Sequence, residues 1–147
     1  MGKRILIADD GQAVRDVLRA LFETRSTFEI CGEAETGLDA IEKAKVLKPD
    51  IIVLDVAMPL MNGVETASVL AGIMPEVPIV LYTMYDEMLG LSLATAVGAK
   101  AVVSKADGIS KLLECVQNLL EPPATAPKTA PSPPSSASPE KPPSVQN

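Results

Sequence analysis

Along the first 121 residues, short aliphatic runs alternate with segments of helical period, and few folds accept that alternation. Strands are expected at 3–8, 28–34, 50–54, 78–82 and 100–103, built on β-branched or apolar runs such as Ile5-Leu6-Ile7-Ala8 and Ile51-Ile52-Val53-Leu54. Such runs belong in a parallel sheet covered by helices on both faces, because neither side of the strand meets water. Between the first two runs, Val14, Val17, Leu18, Leu21 and Phe22 recur at the spacing of one helical face, with Arg15, Asp16, Arg19 and Glu23 on the other. Ile109, Leu112, Leu113, Val116, Leu119 and Leu120 repeat the pattern at the end. Further helices are expected over 37–47, before the Pro49-Asp50 break, over 63–72, and over 86–97, before Gly98. Five β/α units result, an α/β chain.

After Glu121 the composition changes. From Pro122 to Asn147, Val145 is the one large apolar residue, and Pro, Ser and Ala dominate. Burial cannot offset the ordering entropy of such a segment, so the expected organisation is a folded domain over 1–121 and a disordered tail over 122–147 with polyproline II bias. Extended, the tail reaches roughly 80 Å at about 3.1 Å per residue, as a tether, a Pro-rich ligand or simple solvated chain. The formal charge of −6 and pI near 4.6 argue against direct nucleic-acid binding, which needs clustered Lys and Arg. Cys31 and Cys115 fit no metal spacing and read as small hydrophobes. No apolar run matches a signal segment or a membrane span, so the expected location is cytoplasmic, without membrane contact.

The acids stand where the strands end. Asp9 and Asp10 follow the first expected strand, and Asp55 follows Ile51-Ile52-Val53-Leu54. In an open parallel sheet the carboxyl ends of strands face the ligand crevice, so three carboxylates should converge on one rim. Any one of them could be a helix cap or a turn residue. Together they repel one another, and a hard cation taking carboxylate oxygens and water, Mg²⁺ before Ca²⁺, suits them. Thr83 and Lys105 come at two further strand ends and would supply a hydroxyl and a cation to an incoming anionic group, phosphoryl being the best fit. Taken singly, Thr83 could cap the next helix and Lys105 could balance the acids.

Ile-Ala-Asp9-Asp10, Leu-Asp55-Val-Ala-Met58-Pro59-Leu-Met-Asn62-Gly63, Leu-Tyr-Thr83-Met and Ser-Lys105, in that order, resemble the signature of response-regulator receiver domains of two-component signalling. The resemblance covers about residues 1–120. It implies a flavodoxin-like (βα)5 three-layer sandwich, with a parallel sheet of order 2-1-3-4-5. It further implies that Asp55 is the phospho-acceptor, taking the group from a phosphohistidine on a sensor histidine kinase or phosphotransfer protein. Asp10, Asp55 and the backbone carbonyl of Ala57 would hold Mg²⁺, with Asp9 acting directly or through water. Lys105 and Thr83 would bind the phosphoryl oxygens, and Thr83 would move the loop after it on phosphorylation. Gly63 is expected to supply a backbone angle that a side chain disfavours.

Several positions depart from the family pattern. The switch aromatic three residues before the lysine is replaced by Val102, and the Pro that usually follows the lysine, with its cis bond, is replaced by Ala106. Either local strain or a trans loop is expected there. Ala57 and Tyr85 occupy the two positions that tune phosphoryl lifetime; Ala57 cannot position water and Tyr85 could shield the group, so slow hydrolysis is expected. Lys-Ala-Asp and Thr-Met-Tyr-Asp look like the branch that carries a C-terminal helix-turn-helix domain, and the Pro-rich segment stands where its linker would, suggesting a stand-alone receiver or a truncated relative. Output would pass through protein contacts on the face of helix 86–97, strand 100–103 and the last helix. Leu89 and Leu93 there would serve a partner or a phosphorylation-dependent dimer, or else a neighbouring helix. Apart from self-phosphorylation and loss of the group, no enzyme activity is expected. The rivals are a phosphate-independent interaction module and a small Mg²⁺-dependent phosphatase, which would want an acid where Ala57 stands. An electron carrier lacks the aromatics to hold a flavin.

Overall fold

The computed structural model describes residues 2–84 and 96–120. Tyr85, residues 86–95 of the expected fourth helix and the segment 122–147 lie outside the described residues. Within them the strands are β1 (Lys3–Ala8), β2 (Phe28–Ala34), β3 (Ile51–Leu54), β4 (Ile79–Thr83) and β5 (Ala101–Ser104). The helices are α1 (Gln12–Glu23), α2 (Gly37–Leu47), α3 (Gly63–Ile73) and α4 (Ile109–Leu120), and a 3₁₀ turn spans Lys105–Asp107. All strand pairs are parallel, in the order β2-β1-β3-β4-β5. Among the described residues no helix is long and apolar enough to cross a membrane.

Successive strand side chains point to opposite sides, and the sheet uses both. Leu6, Ala8, Ile52, Leu54 and Leu81 join one buried cluster with Ala40, Ala44, Ala67 and Leu70 of α2 and α3. Ile5, Ile7, Ile51, Val53, Val80, Tyr82 and Val103 join the other, with Leu18 and Phe22 of α1 and Leu112 and Val116 of α4. Phe22 and Phe28 meet edge to face at 5.9 Å between ring centroids. Each Val, Leu, Ile or Phe side chain among them stabilises the fold by about 1.5–3 kcal/mol on burial.

The last two strands begin and end one residue later than expected. Pro78 has no N–H for the ladder, so β4 begins at Ile79 while the Pro78 carbonyl still accepts from Ile52 N at 3.1 Å. Thr83 is therefore the last residue of β4, paired in register with Ser104, rather than the first residue beyond it.

Two expectations about side-chain environment are corrected. Arg15 is not on the water face of α1: it is 4 % exposed, on the same side as Leu18 and Phe22, while Val17 is 49 % exposed. Arg15 turns inward because it has acceptors there. Its Nη1 donates to the Asp9 carbonyl at 2.6 Å and its Nε to Glu33 at 3.0 Å. Arg19 closes on the same Glu33 at 2.6 Å.

Gly63 is required for space rather than for a positive φ. A Cβ there would lie 2.3 Å from the Asp55 carbonyl oxygen and 2.8 Å from Val56 Cα. The positive φ in this loop belongs to Leu60, at 70°, whose side chain is 89 % exposed. Asn62 then starts α3 through a reciprocal cap with Glu65: Glu65 N donates to Asn62 Oδ1 at 2.9 Å, and Asn62 N donates to Glu65 Oε1 at 3.1 Å.

These neighbouring positions predict opposite responses. Gly63→Ala should lower the urea-unfolding free energy by about 2–4 kcal/mol, through forced displacement of backbone. Leu60→Gly should raise it by about 0.5–1 kcal/mol, relieving a left-handed conformation at no loss of burial.

Candidate functional site: an acid pocket at the carboxyl ends of the strands

β1 ends at Ala8 and β3 at Leu54, and these two residues are paired in the ladder. The hydrogen bonding runs one residue further: Asp55 N donates to the Ala8 carbonyl at 2.8 Å, and Asp9 N to the Ala34 carbonyl at 3.0 Å. The sheet therefore sets the acids side by side. One carboxylate oxygen from each of Asp9, Asp10 and Asp55 lies within 4.8 Å of the others. Asp9 and Asp55 are buried, at 3 % and 5 % exposure, and Asp10 is exposed.

Local hydrogen bonds aim these side chains. Gly11 N donates to Asp9 Oδ1 at 2.8 Å, and Ala57 N donates to Asp55 Oδ1 at 3.3 Å. Arg15 fixes the Asp9 main chain from beneath. Lys105, at the start of the 3₁₀ turn, places its ammonium 2.9 Å from Asp9 Oδ2 and 3.5 Å from Asp55 Oδ1. Ser104 holds that turn, its Oγ accepting from Ala106 N at 3.1 Å. The Lys105–Ala106 bond is trans, the relaxed alternative for a loop without Pro.

The electrostatics follow from this crowding. Burial pushes the Asp55 carboxyl above the usual carboxylate range, and the charge of Asp9 adds to it, against the opposing pull of Lys105 and the Ala57 N–H. For Lys105, burial works against the charge, but the hydrogen bond to Asp9 and the charges of Asp55 and Asp9 outweigh it and raise its pKa. Among the described residues three carboxylates face one ammonium, leaving a negative pocket of hard oxygen donors at the carboxyl ends of the strands. That donor set fits a hard divalent cation, which would take up the charge that Lys105 leaves unbalanced.

The structure thus brings together Asp9, Asp10, Asp55 and Lys105, and Thr83, fully buried, ends the strand between β3 and β5. Ala57 is exposed beside Asp55. Val102 is part-buried on the other side of the sheet, packed against the cluster that α2 and α3 cover. Tyr85 lies outside the described residues. Sequence reasoning missed Arg15 and Tyr82, whose ring centroid is 5.6 Å from the Lys105 ammonium. Arg15 could have been found from its spacing, since positions 15, 18 and 22 form a helical stripe of their own. Tyr82 stands in the Leu-Tyr-Thr83-Met block, where the sequence assigns it no role of its own.

Comparison with known proteins agrees with this geometry. The family model described as the response regulator receiver domain matches residues 5–117. The chemotaxis protein CheY of Thermotoga maritima is 34 % identical over 119 residues, covering 81 % of this chain and 98 % of the relative. The transcriptional regulatory protein LnrK of Bacillus subtilis is 33 % identical over 118 residues, covering 78 % of this chain but 54 % of its own length, so the chain spans about half of that relative. Among solved structures, the CheX–CheY–BeF3–Mg²⁺ complex of Borrelia burgdorferi superimposes with a TM-score of 0.74 at 26 % identity, covering 80 % of this chain and 88 % of that one. A family match across the sheet and a relative matched along nearly its whole length place this chain among the response-regulator receiver domains, with their CheY-like flavodoxin fold.

Proposed function

We propose that this protein is a cytoplasmic phospho-acceptor switch in which Asp55 receives a phosphoryl group from a sensor histidine kinase or phosphotransfer protein. The observation that carries the reading is the Asp55 carboxylate, buried at the end of β3, with a lysine ammonium 3.5 Å away and two more acids beside it. A structural ion pair would need one acid, not three.

An Asp55 oxygen forms the new bond to phosphorus as the bond from phosphorus to the donor's imidazole nitrogen breaks and the imidazole takes up a proton. Asp9, Asp10, Asp55 and the Ala57 carbonyl would hold Mg²⁺, which when bound supplies charge neutralisation for the phosphoryl oxygens. Lys105 meets one phosphoryl oxygen and the Thr83 hydroxyl another, and the Ala57 N–H stays on Asp55. No acid stands at position 57 to protonate a foreign leaving group, which favours a switch over a phosphatase. Output runs through protein contacts on the face of β5, α4 and the segment before β5, to a downstream partner or a second copy. Neither the acidic charge nor this site suits direct DNA binding. One observation favours a phosphate-independent interaction module as second reading: Val102 is too small and too stiff to swing as an aromatic would.

Intact mass after incubation with acetyl phosphate and Mg²⁺ tests the reading. One phosphoryl group should be gained by the wild type and none by Asp55→Asn; no gain in either would leave the interaction module.

The raised Asp55 value sets a second test, without phosphodonor. Because the folded protein holds the Asp55 proton more tightly than the unfolded chain, it binds more protons between the ordinary carboxylate value and the raised one. This group's contribution to stability therefore falls as pH rises through that window. In metal-free buffer at neutral pH, Asp55→Asn should raise Tm by a few degrees, and the gain should shrink as pH drops below the raised value. Mg²⁺ should raise the wild-type Tm more than that of the variant, and chelation should reverse it.

A further inference from the structure

We propose that Tyr82 is a positioning residue for Lys105, and that it carries the state of the acid pocket to the side of the sheet covered by α1 and α4. The proposal rests on the reading of Lys105 as the cation that meets the phosphoryl group.

Among the described residues, the Lys105 ammonium stands 2.9 Å from Asp9, 3.5 Å from Asp55, and over the face of the Tyr82 ring at 5.6 Å from its centroid. The acids attract it from one direction and the ring from another, so a long flexible side chain is held in one place. Tyr82 is 4 % exposed and packs with the cluster of Leu18, Val103 and Leu112, so the ring itself is rigidly seated.

Its place in the sheet gives it a direction. Tyr82 directly precedes Thr83, so the two side chains leave β4 on opposite sides. The missing switch aromatic would stand at Val102, on the side that α2 and α3 cover. The aromatic present here is on the neighbouring strand and on the opposite side. There Tyr82 and Lys105 line an apolar pocket of about 230 Å³ with Val14, Val17, Leu18 and Ile109. When Asp55 carries a phosphoryl group, the new oxygens draw the ammonium off Asp55 Oδ1. The ring then loses or changes its cation, and the pocket between α1 and α4 responds.

The test uses the full chain with Tyr85→Phe, which leaves Tyr82 as the one tyrosine in a protein without tryptophan. Tyrosine emission and intact mass are followed together after addition of acetyl phosphate and Mg²⁺. Emission should change with the rate constant of the mass gain, and further substitution of Lys105→Met should abolish the emission change. Tyr82→Leu should slow the mass gain roughly three- to tenfold and Tyr82→Phe less than about twofold, since phenylalanine keeps the ring face. Mass gain with static emission, or an unaltered rate in Tyr82→Leu, would overturn the proposal while leaving Asp55 as phospho-acceptor. Absence of mass gain in the Tyr85→Phe protein and in the wild type alike would remove the phospho-acceptor reading, and this proposal with it.

Discussion

The pairing of β1 with β3 is the constraint on which the pocket depends. Ala8 and Leu54 lie opposite each other in a parallel ladder, and the bond from Asp55 N to the Ala8 carbonyl carries that register one residue beyond both strands. Two acids far apart in the chain arrive abreast because the backbone hydrogen bonds leave them no other place. β4 and β5 extend the same logic, delivering Thr83 opposite Ser104 and then Lys105 to the same edge. A register slip of one residue would turn every one of these side chains to the wrong face.

Holding like charges together opposes folding, and the surroundings show how the chain tolerates it. Lys105 spans the two buried carboxylates, backbone N–H groups of Gly11 and Ala57 reach them, and Arg15 takes the Asp9 carbonyl from inside the protein. Arg15 is itself secured by Glu33, which also receives Arg19. This chain of charges, buried at Arg15 and partly exposed at Glu33 and Arg19, links α1 and β2 to the loop that bears Asp9. Among the described residues the three carboxylates still outnumber the one ammonium beside them, a donor set that suits a hard divalent cation.

Much of this was legible in the sequence, for identifiable reasons. Ile5 and Ile7 face one side and Leu6 and Ala8 the other, so a run without polar residues could only be a strand buried twice. Asp9, Asp10 and Asp55 could be located because position after a strand fixes position in space. What sequence could not yield depended on distances between segments. Arg15 reads as a surface residue until the Asp9 carbonyl and Glu33 are seen to be within reach. Gly63 reads as a matter of backbone angle, although its φ is not in the left-handed region and the neighbour at fault is the Asp55 carbonyl; the unusual angle falls on Leu60, which composition gives no reason to suspect. Tyr82 reads as another core residue, since nothing in an apolar run says which member lies under a lysine.

The contact between Gly63 and the Asp55 carbonyl also bears on how this sequence can change over generations. Positions such as Leu38 and Val46, 55 % and 76 % exposed, can drift through many residues with little consequence. Gly63 has no substitute open to it, because every other residue adds a carbon where the Asp55 carbonyl oxygen already lies. Even in a descendant that had lost its acidic chemistry, the main chain at 55 would still press against that helix start. The glycine should therefore outlast the aspartate it adjoins, and its persistence in a degenerate copy would record the architecture rather than the activity.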